Sequence, residues 1–196
     1  MLSICIPIYN YDVTALVQEL KKQVEEHSLE CEIILADDAS DDVELKRKNT
    51  SIVSMCGAKF IALEKNIGRS AIRNLLALNA SGDSILFLDC DTVPVRNDFL
   101  QKYYHVMNDD VVVGGIAYRD ALDDQSAMLR WTYGHKRESK TADERLKMPY
   151  ASFMTGNFMI KKTVFKQFTF DENITQYGHE DTLFGIQLKQ HRIEIK

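Results

Sequence analysis

The sequence has few of the residues that mark disordered, fibrous or disulfide-stabilised proteins. Only three prolines and nine glycines occur among its 196 residues, and 45% of the residues are hydrophobic, which excludes a disordered or low-complexity chain. The four cysteines show no CxxC spacing, and three of them lie in or beside strand-like runs. We therefore interpret them as free, buried thiols in a reducing cytoplasm, in preference to a disulfide framework or a zinc site.

Long apolar runs and dense basic clusters are also missing. No apolar run approaches the ~20 residues that a membrane-spanning helix needs. Residues 1–7 have neither the basic region nor the cleavage site of a signal peptide, and they are predicted to form a strand. The formal net charge is −5, and no segment carries enough Lys and Arg to follow a phosphate backbone, so we expect no nucleic-acid partner.

Strand-like runs alternate with helical patterns over the first 116 residues. The strand-like runs cover residues 2–8, 32–36, 59–63, 84–88 and 111–116, and the helical patterns cover residues 13–27, 69–79 and 97–107. Such alternation predicts parallel strands joined by right-handed crossovers. The predicted fold class is therefore α/β, with a mostly parallel central sheet flanked by helices.

The second half of the chain breaks this alternation. Residues 120–148 are polar and charged, and we predict a mobile, partly helical excursion over the edge of the sheet. Regular structure is predicted to resume at residues 152–160, and helices are expected at residues 162–168 and 180–190. Residues 193–196 resemble the start of a strand, so we expect a single domain that is cut short at its C-terminus.

Two acids one residue apart, Asp89 and Asp91, directly follow an apolar strand. Because ligands of parallel α/β sheets bind beyond the carboxyl ends of the strands, these carboxylates should emerge at the rim of the sheet. Two hard oxygen donors at this spacing can bind Mg²⁺ or Mn²⁺ and leave positions open for a diphosphate. A turn with solvated acids is the alternative, but the position after a buried strand favours the metal.

Glu180 and Asp181 form a second acidic pair at the start of a predicted helix. Acids in the first turn of a helix complement the helix dipole. The same position would keep a carboxylate ionised and directed out of the helix, as a general base requires. The spacing favours neither interpretation over the other.

Polar residues at two other predicted strand or helix ends could also contact a ligand. Residues 66–69 open a helix whose backbone N–H groups, with Arg69 or Arg73, could face a phosphate or a base, although solvated helix arginines are the alternative. Asp41 and Asp42 follow the second strand, and we interpret them as turn or helix-cap residues.

Taken in order, these motifs resemble those of the family-2 glycosyltransferases with the GT-A fold. The matching segments are SICIPIYN (3–10), ADDASD (36–41), NIGR (66–69), AIRN (71–74), FLDCD (87–91), TGNFMI (155–160) and GHED (178–181). The last two are similar to acceptor-side motifs of galactosyl- and N-acetylgalactosaminyl-transferases. The resemblance covers nearly the whole chain and implies one GT-A domain, with a nucleotide-sugar-binding half (1–116) and an acceptor-side half (117–196).

The resemblance also implies a role for each matching residue. Asp38 would hydrogen-bond the uracil, Asp89 would contact the ribose or a metal-bound water, and Asp91 would bind Mn²⁺ or Mg²⁺. Asp181 would be the catalytic base, with Glu180 beside it in the acceptor or donor-sugar site. The implied donor-binding residues are Pro7, Tyr9, Asp38, Asn66, Gly68, Arg69, Arg73 and Asp89.

The reaction that the resemblance implies is an inverting displacement at the anomeric carbon of a UDP-sugar, which releases UDP. Galactose or an N-acetylhexosamine is the favoured sugar, and a glycan or lipid-linked glycan is the acceptor. The implied location is cytoplasmic, at the inner face of the membrane if a C-terminal segment reaches the lipid. The family usually adds a metal-ligating histidine and such a segment beyond this point.

Two alternatives to an active transferase stay open. One is a nucleotide-sugar-binding core that does not turn over. The other is a phosphatase of the haloacid dehalogenase type, because residues 89–93 also fit its nucleophile motif. That fold places the motif on its first strand, whereas three strand-like runs precede it here.

Overall fold

The computed structural model describes residues 1–122, 124–174 and 178–196. Its strands are β1 (Leu2–Ile8), β2 (Cys31–Asp37), β3 (Lys59–Ala62), β4 (Ser84–Leu88), β5 (Val111–Val113) and β6 (Asn157–Lys161). Its α-helices are α1 (Thr14–Glu26), α2 (Val43–Cys56), α3 (Gly68–Asn79), α4 (Phe99–His105), α5 (Met128–Tyr133), α6 (Ala142–Leu146), α7 (Lys162–Phe165) and α8 (Glu180–Gln190).

The strands form one sheet in the order β3-β2-β1-β4-β6-β5. Strand β1 pairs in parallel with β2 and β4, and β2 pairs in parallel with β3. Strand β6 runs antiparallel to both β4 and β5. The predicted α/β fold with a mostly parallel sheet is therefore confirmed, and the carboxyl ends of β1, β2 and β4 lie at the same edge.

Both faces of the sheet are buried, which explains the continuous apolar runs of its central strands. In β4, Ile85 and Phe87 pack into the core on one face, whereas Leu86 and Leu88 pack into the core on the other. Helix α3 and the aromatic residues of the second half cover the first face, and helices α1, α2 and α4 cover the second. The sheet edge that carries the polar strand ends is thus held by two cores.

Helix α2 is absent from the prediction made from sequence. It begins after Asp42, whose side chain accepts a hydrogen bond from the Leu45 N–H at 3.0 Å, and it ends at Gly57, which adopts φ +66°. Its sequence is largely polar, and only Asn49, Ile52 and Val53 are buried, so the helical pattern is weak. The interpretation of Asp42 as a helix cap is confirmed.

The segment between β5 and β6 is partly helical, as predicted. It contains a 3₁₀ turn (Gln125–Ala127), α5, a π-helical turn (Gly134–Glu138) and α6. The strand predicted at residues 111–116 was too long, because β5 ends at Val113. The regular structure predicted at residues 152–160 corresponds to β6, which begins at Asn157. Ile195 forms a parallel bridge with Val111, which agrees with the predicted strand start at residues 193–196.

Cys5, Cys31, Cys56 and Cys90 are all free thiols. Only Cys5 is fully buried, and the other three are partly exposed. In the three described ranges of the chain, no helix combines the length and the apolar character that crossing a bilayer requires.

Candidate functional site

The loops that follow β1 and β2 are tied to each other at the sheet edge. The Asp38 N–H donates to the Ile8 carbonyl at 2.8 Å, and the Asn10 N–H donates to the Ser40 hydroxyl at 2.8 Å. The Ser40 N–H in turn donates to the Asp37 carboxylate at 2.7 Å. These bonds hold both strand ends in one fixed arrangement, so the side chains that follow them are positioned by the sheet itself.

Asp38 links β2 to the start of α3. Its side chain is 5% exposed, and its two oxygens accept hydrogen bonds from the N–H groups of Ile67 (2.7 Å) and Gly68 (3.0 Å). The Asn66 amide donates to the Asp38 carbonyl at 3.1 Å. Gly68 adopts φ +86°, a conformation that a side chain would strain. The predicted residues Asp38, Asn66 and Gly68 are therefore brought together.

The predicted residues Pro7 and Tyr9 lie at the end of β1. Pro7 pairs with Ala36 inside the sheet and is partly buried, whereas the Tyr9 side chain is 51% exposed. Tyr11 is 43% exposed, and the partial burial of its side chain, together with the nearby negative charge of Asp91, raises its pKa. The β1 loop therefore brings the Tyr11 side chain into the neighbourhood of Asp91.

The backbone around Asp89 directs the two acids of the DCD motif. The Asp89 N–H donates to the Gly156 carbonyl at 3.0 Å, and its own carbonyl accepts from the Thr92 N–H (3.1 Å) and hydroxyl (2.7 Å). This turn leaves Asp89 partly buried and Asp91 exposed. Among the described residues, no hydrogen bond or ion pair engages the Asp91 carboxylate, so its oxygens face solvent.

Gly156 keeps space beside the Asp89 carboxylate. A Cβ at this position would lie 3.1 Å from Asp89 Oδ2 and 3.4 Å from Ile116 Cδ1. The Asp89 Oδ1 atom is already taken by Arg73, whose Nη2 lies 2.6 Å away. The glycine of the TGN motif therefore leaves the second oxygen of Asp89 open, a role that the sequence did not indicate.

Arg73 connects the two acidic pairs. Its side chain is 2% exposed, and besides Asp89 it lies 4.0 Å from the Glu180 carboxylate through Nη1. The same nitrogen donates to the Arg69 carbonyl at 3.2 Å. Arg69 Nη1 approaches the same Glu180 oxygen at 3.4 Å, and Glu180 is 5% exposed. Residues from the two halves of the chain, including the predicted Arg69, Arg73, Asp89 and Glu180, thus form one cluster.

The start of α8 separates its two acids. Gly178 and His179 adopt φ +101° and φ +71°, and this left-handed turn leads the chain into the helix. Glu180 points inward to the arginines, whereas Asp181 is partly exposed and accepts a hydrogen bond from the Thr182 N–H at 2.6 Å. The first turn of the helix therefore holds one acid in an ion pair and leaves the other available at the surface.

The acids at the rim suit a hard divalent cation that arrives with its ligand. Over the ranges that the structure describes, no group of three or more His, Cys, Asp or Glu residues is assembled as a metal site. Asp91 and the open oxygen of Asp89 are hard donors, and Mg²⁺ commonly combines one or two carboxylates with water and phosphate oxygens. Cys90, between the two acids, is protonated because burial and the charge of Asp91 raise its pKa to about 11. These residues fit Mn²⁺ or Mg²⁺ better than zinc.

Residues 3–169 match the family model described as glycosyl transferase family 2. The chain belongs to this family. It is 26% identical over 237 residues to an uncharacterized glycosyltransferase of Bacillus subtilis, YfnE, and the alignment covers 96% of this chain and 60% of that protein.

Two solved structures show the same GT-A fold. S. aureus TarS 1-349 in complex with UDP-GlcNAc superimposes with a TM-score of 0.67 at 22% identity and covers 95% of this chain. The mannosyltransferase PcManGT from Pyrobaculum calidifontis, in complex with GDP-Man and Mn²⁺, gives a TM-score of 0.69 at 14% identity over 99% of this chain. This family-2 chain spans 52% and 53% of the lengths of those two chains.

The phosphatase alternative does not agree with these findings. Asp89 follows β4, the fourth strand along the chain, and β4 lies between β1 and β6 in the sheet. The family match includes this strand and both acids after it. The predicted family and fold are therefore confirmed.

Proposed function

We propose that this chain is an inverting, metal-dependent glycosyltransferase that moves a sugar from a UDP-sugar to a hydroxyl group of a glycan. The observation that carries the proposal is the buried Arg73, which is bound to Asp89 at 2.6 Å and lies 4.0 Å from Glu180. It brings the acids after β4 and the acids that start α8 to one sheet edge. Family-2 membership makes sugar transfer the chemistry to expect there.

The proposed donor site lies over the ends of β1 and β2. Each Asp38 oxygen accepts one backbone N–H and retains a second lone pair, which can accept the N3–H of uracil. Tyr9 is half exposed and directly follows Ile8, whose carbonyl accepts the Asp38 N–H, so its ring would be available to the base, and Pro7 would shape the strand below it. The structure of TarS was solved in complex with a UDP-linked sugar, UDP-GlcNAc. For this chain we favour galactose or an N-acetylhexosamine as the transferred sugar.

Asp91, with the open oxygen of Asp89, would hold Mn²⁺ or Mg²⁺ at the diphosphate. The ion would neutralise the negative charge that develops on the departing UDP. Asp89 is held by Arg73 and by two backbone links, so its free oxygen has a fixed position for the ribose or a metal-bound water. The Asp91 carboxylate is exposed and would be accessible to such an ion.

Asp181 is the proposed general base. Glu180 is paired with two arginines, whereas Asp181 is partly exposed in the first turn of α8 and is therefore free to meet an acceptor hydroxyl. Its carboxylate takes the proton of the acceptor hydroxyl while the acceptor oxygen bonds to the anomeric carbon. The bond from that carbon to the phosphate oxygen breaks, and UDP leaves from the opposite face. A lipid-linked glycan acceptor would place this reaction at the inner face of the membrane.

The proposal is tested by product analysis with several donors. The chain is incubated with Mn²⁺ and UDP-GlcNAc, UDP-galactose or GDP-mannose, together with a panel of oligosaccharides and lipid-linked glycans. We expect acceptor-dependent release of UDP, and an NMR signal for a β-linked product from the α-linked donor. A retained α-linkage would contradict the direct displacement. Tight UDP binding without transfer to any acceptor, also in a longer chain, would identify a binding core without turnover.

A further inference from the structure

Arg73 is fully enclosed, which is unusual for an arginine on a helix. Its guanidinium has two carboxylate partners, Asp89 at 2.6 Å and Glu180 at 4.0 Å, and one carbonyl partner, Arg69, at 3.2 Å. Its Nε–H is buried without an acceptor among the described residues. A buried cation is tolerated only when paired charges compensate for the lost hydration, so the two carboxylates hold it in place. With 2% of the side chain exposed, little of it remains for a ligand to contact.

The next residue, Asn74, ties the same helix to the chain that leads towards α8. Its amide donates to the Phe170 carbonyl at 2.9 Å and accepts from the Phe170 N–H at 3.0 Å. The Arg73 guanidinium lies over the Phe170 ring, 5.8 Å from its centroid. That ring stacks on Phe184 of α8, with centroids 4.4 Å apart. Helix α3 therefore contacts α8 through an ion pair at Glu180 and through an aromatic stack.

We infer that Arg73 is a positioning residue that sets the distance between the donor side and the base, and that it does not contact the nucleotide. One arm of its guanidinium fixes one oxygen of Asp89 and leaves the other open at Gly156. The other arm faces Glu180, and this inward contact leaves the adjacent Asp181 at the surface. The inference rests on the proposed function, because it concerns how that site is assembled.

A direct nucleotide contact, which the family resemblance implies for Arg73, predicts a different result. Removing a ligand contact weakens binding independently of Asp89, and it leaves the proton-transfer geometry at α8 intact. Removing a positioning residue acts through Asp89 and Glu180. Its effect on UDP affinity should then disappear once Asp89 is already changed, and turnover should fall more than affinity.

The experiment compares Arg73→Met, Arg73→Lys, Asp89→Asn and the double variant Arg73→Met/Asp89→Asn. Arg47→Met is the matched control, since Arg47 is exposed on α2 and, within the described ranges, its ion pair is with the neighbouring Glu44. Three quantities are measured: the UDP dissociation constant in Mn²⁺ by calorimetry, the turnover of the best UDP-sugar, and hydrogen exchange of the amides in residues 180–185. Exchange needs no ligand, so it reports on α8 even if no turnover is found.

We expect Arg73→Met to weaken UDP binding no more than Asp89→Asn does, and the double variant to bind as Asp89→Asn does. Turnover should fall about 100-fold, the loss that a misplacement of about 1 Å can cause. Exchange at residues 180–185 should become faster. Arg73→Lys should recover UDP affinity in part but little turnover, because a point charge cannot bridge two carboxylates as a guanidinium does.

Two results would overturn the inference. One is a double variant whose UDP dissociation constant rises by the product of the increases seen in Arg73→Met and Asp89→Asn, which would make Arg73 a ligand contact. The other is unchanged exchange at residues 180–185 in both Arg73 variants. If Arg73→Met does not fold, Arg73→Lys and Glu180→Gln carry the same test, and Glu180→Gln should accelerate the same amides. Failure of the unchanged protein to bind any nucleotide would refute the proposed function, whereas the exchange data would still decide whether Arg73 holds α8.

Discussion

The substitution Asp38→Asn tests the most buried carboxylate of the proposed donor site. In the structure, the Asp38 oxygens accept the N–H groups of Ile67 at 2.7 Å and Gly68 at 3.0 Å. Asparagine has the same shape but only one acceptor oxygen. Its NH₂ group would therefore face one of these N–H groups, and two donors would meet in a position that is 5% exposed in the parent protein.

The expected loss of stability follows from these two bonds. A hydrogen bond to a charged group contributes about 1.5–3 kcal/mol, and a buried N–H left without a partner costs a similar amount. We therefore expect Asp38→Asn to lower the unfolding free energy by about 2 kcal/mol. For a domain of this size, each kcal/mol lowers the Tm by about 2–4 °C, so the Tm should fall by about 4–8 °C.

The assay is calorimetric unfolding of the parent, Asp38→Asn and the control Asp41→Asn. Asp41 is exposed, so its substitution should change stability by less than about 0.5 kcal/mol. In the same samples, UDP should bind better than CDP to the parent, because cytosine has no N3–H for Asp38 to accept. Equal affinity for CDP and UDP would refute the uracil contact, and an unchanged Tm in Asp38→Asn would refute the structural one.

Two further predictions concern other carboxylates. Asp181→Asn should lower turnover by about 10²–10⁴-fold while UDP-sugar affinity stays the same, because a general base acts on the acceptor; normal turnover would exclude Asp181 as the base and leave Glu180 to be tested. Burial opposes ionisation of Glu32, but hydrogen bonds from Lys59, Ser3 and a backbone N–H outweigh it and lower its pKa from 4.5 to about 2. The stability that Glu32 contributes is therefore present above about pH 4.5 and is lost as the pH falls towards 2. Urea unfolding from pH 2 to 7 should show that the unfolding free energy of Glu32→Gln falls less on acidification than that of the parent. The same pH dependence in both proteins would contradict this role of Glu32.

The sheet edge could be predicted from sequence because its strands are short and apolar and end in polar residues. Parallel pairing brings the ends of β1, β2 and β4 together, so Asp38 and Asp89 had to lie at one edge. The direction of β6 could not be predicted in this way. Asn157 begins a strand that pairs antiparallel with β4. A short apolar run has the same pattern whether its strand is parallel or antiparallel to its neighbour.

The role of Arg73 was not accessible from sequence. An arginine on a helix is normally solvated, and the local pattern gave no reason to expect a buried one. Its burial depends on Asp89, sixteen residues along the chain, and on Glu180 in the other half of the protein. The space that Gly156 leaves beside Asp89 depends in the same way on the pairing of distant strands.

The most direct test of the account is the dissociation constant of UDP measured with Mn²⁺ and again with EDTA. Asp91 is exposed after β4, and no partner in the described part of the chain engages its carboxylate, so a cation there would join it to the diphosphate. We predict that removing Mn²⁺ weakens UDP binding by more than about tenfold, since such an ion contributes several kcal/mol of charge stabilisation. Asp91→Asn in Mn²⁺ should show a comparable loss. Equal UDP affinity with Mn²⁺ and with EDTA would contradict the central claim.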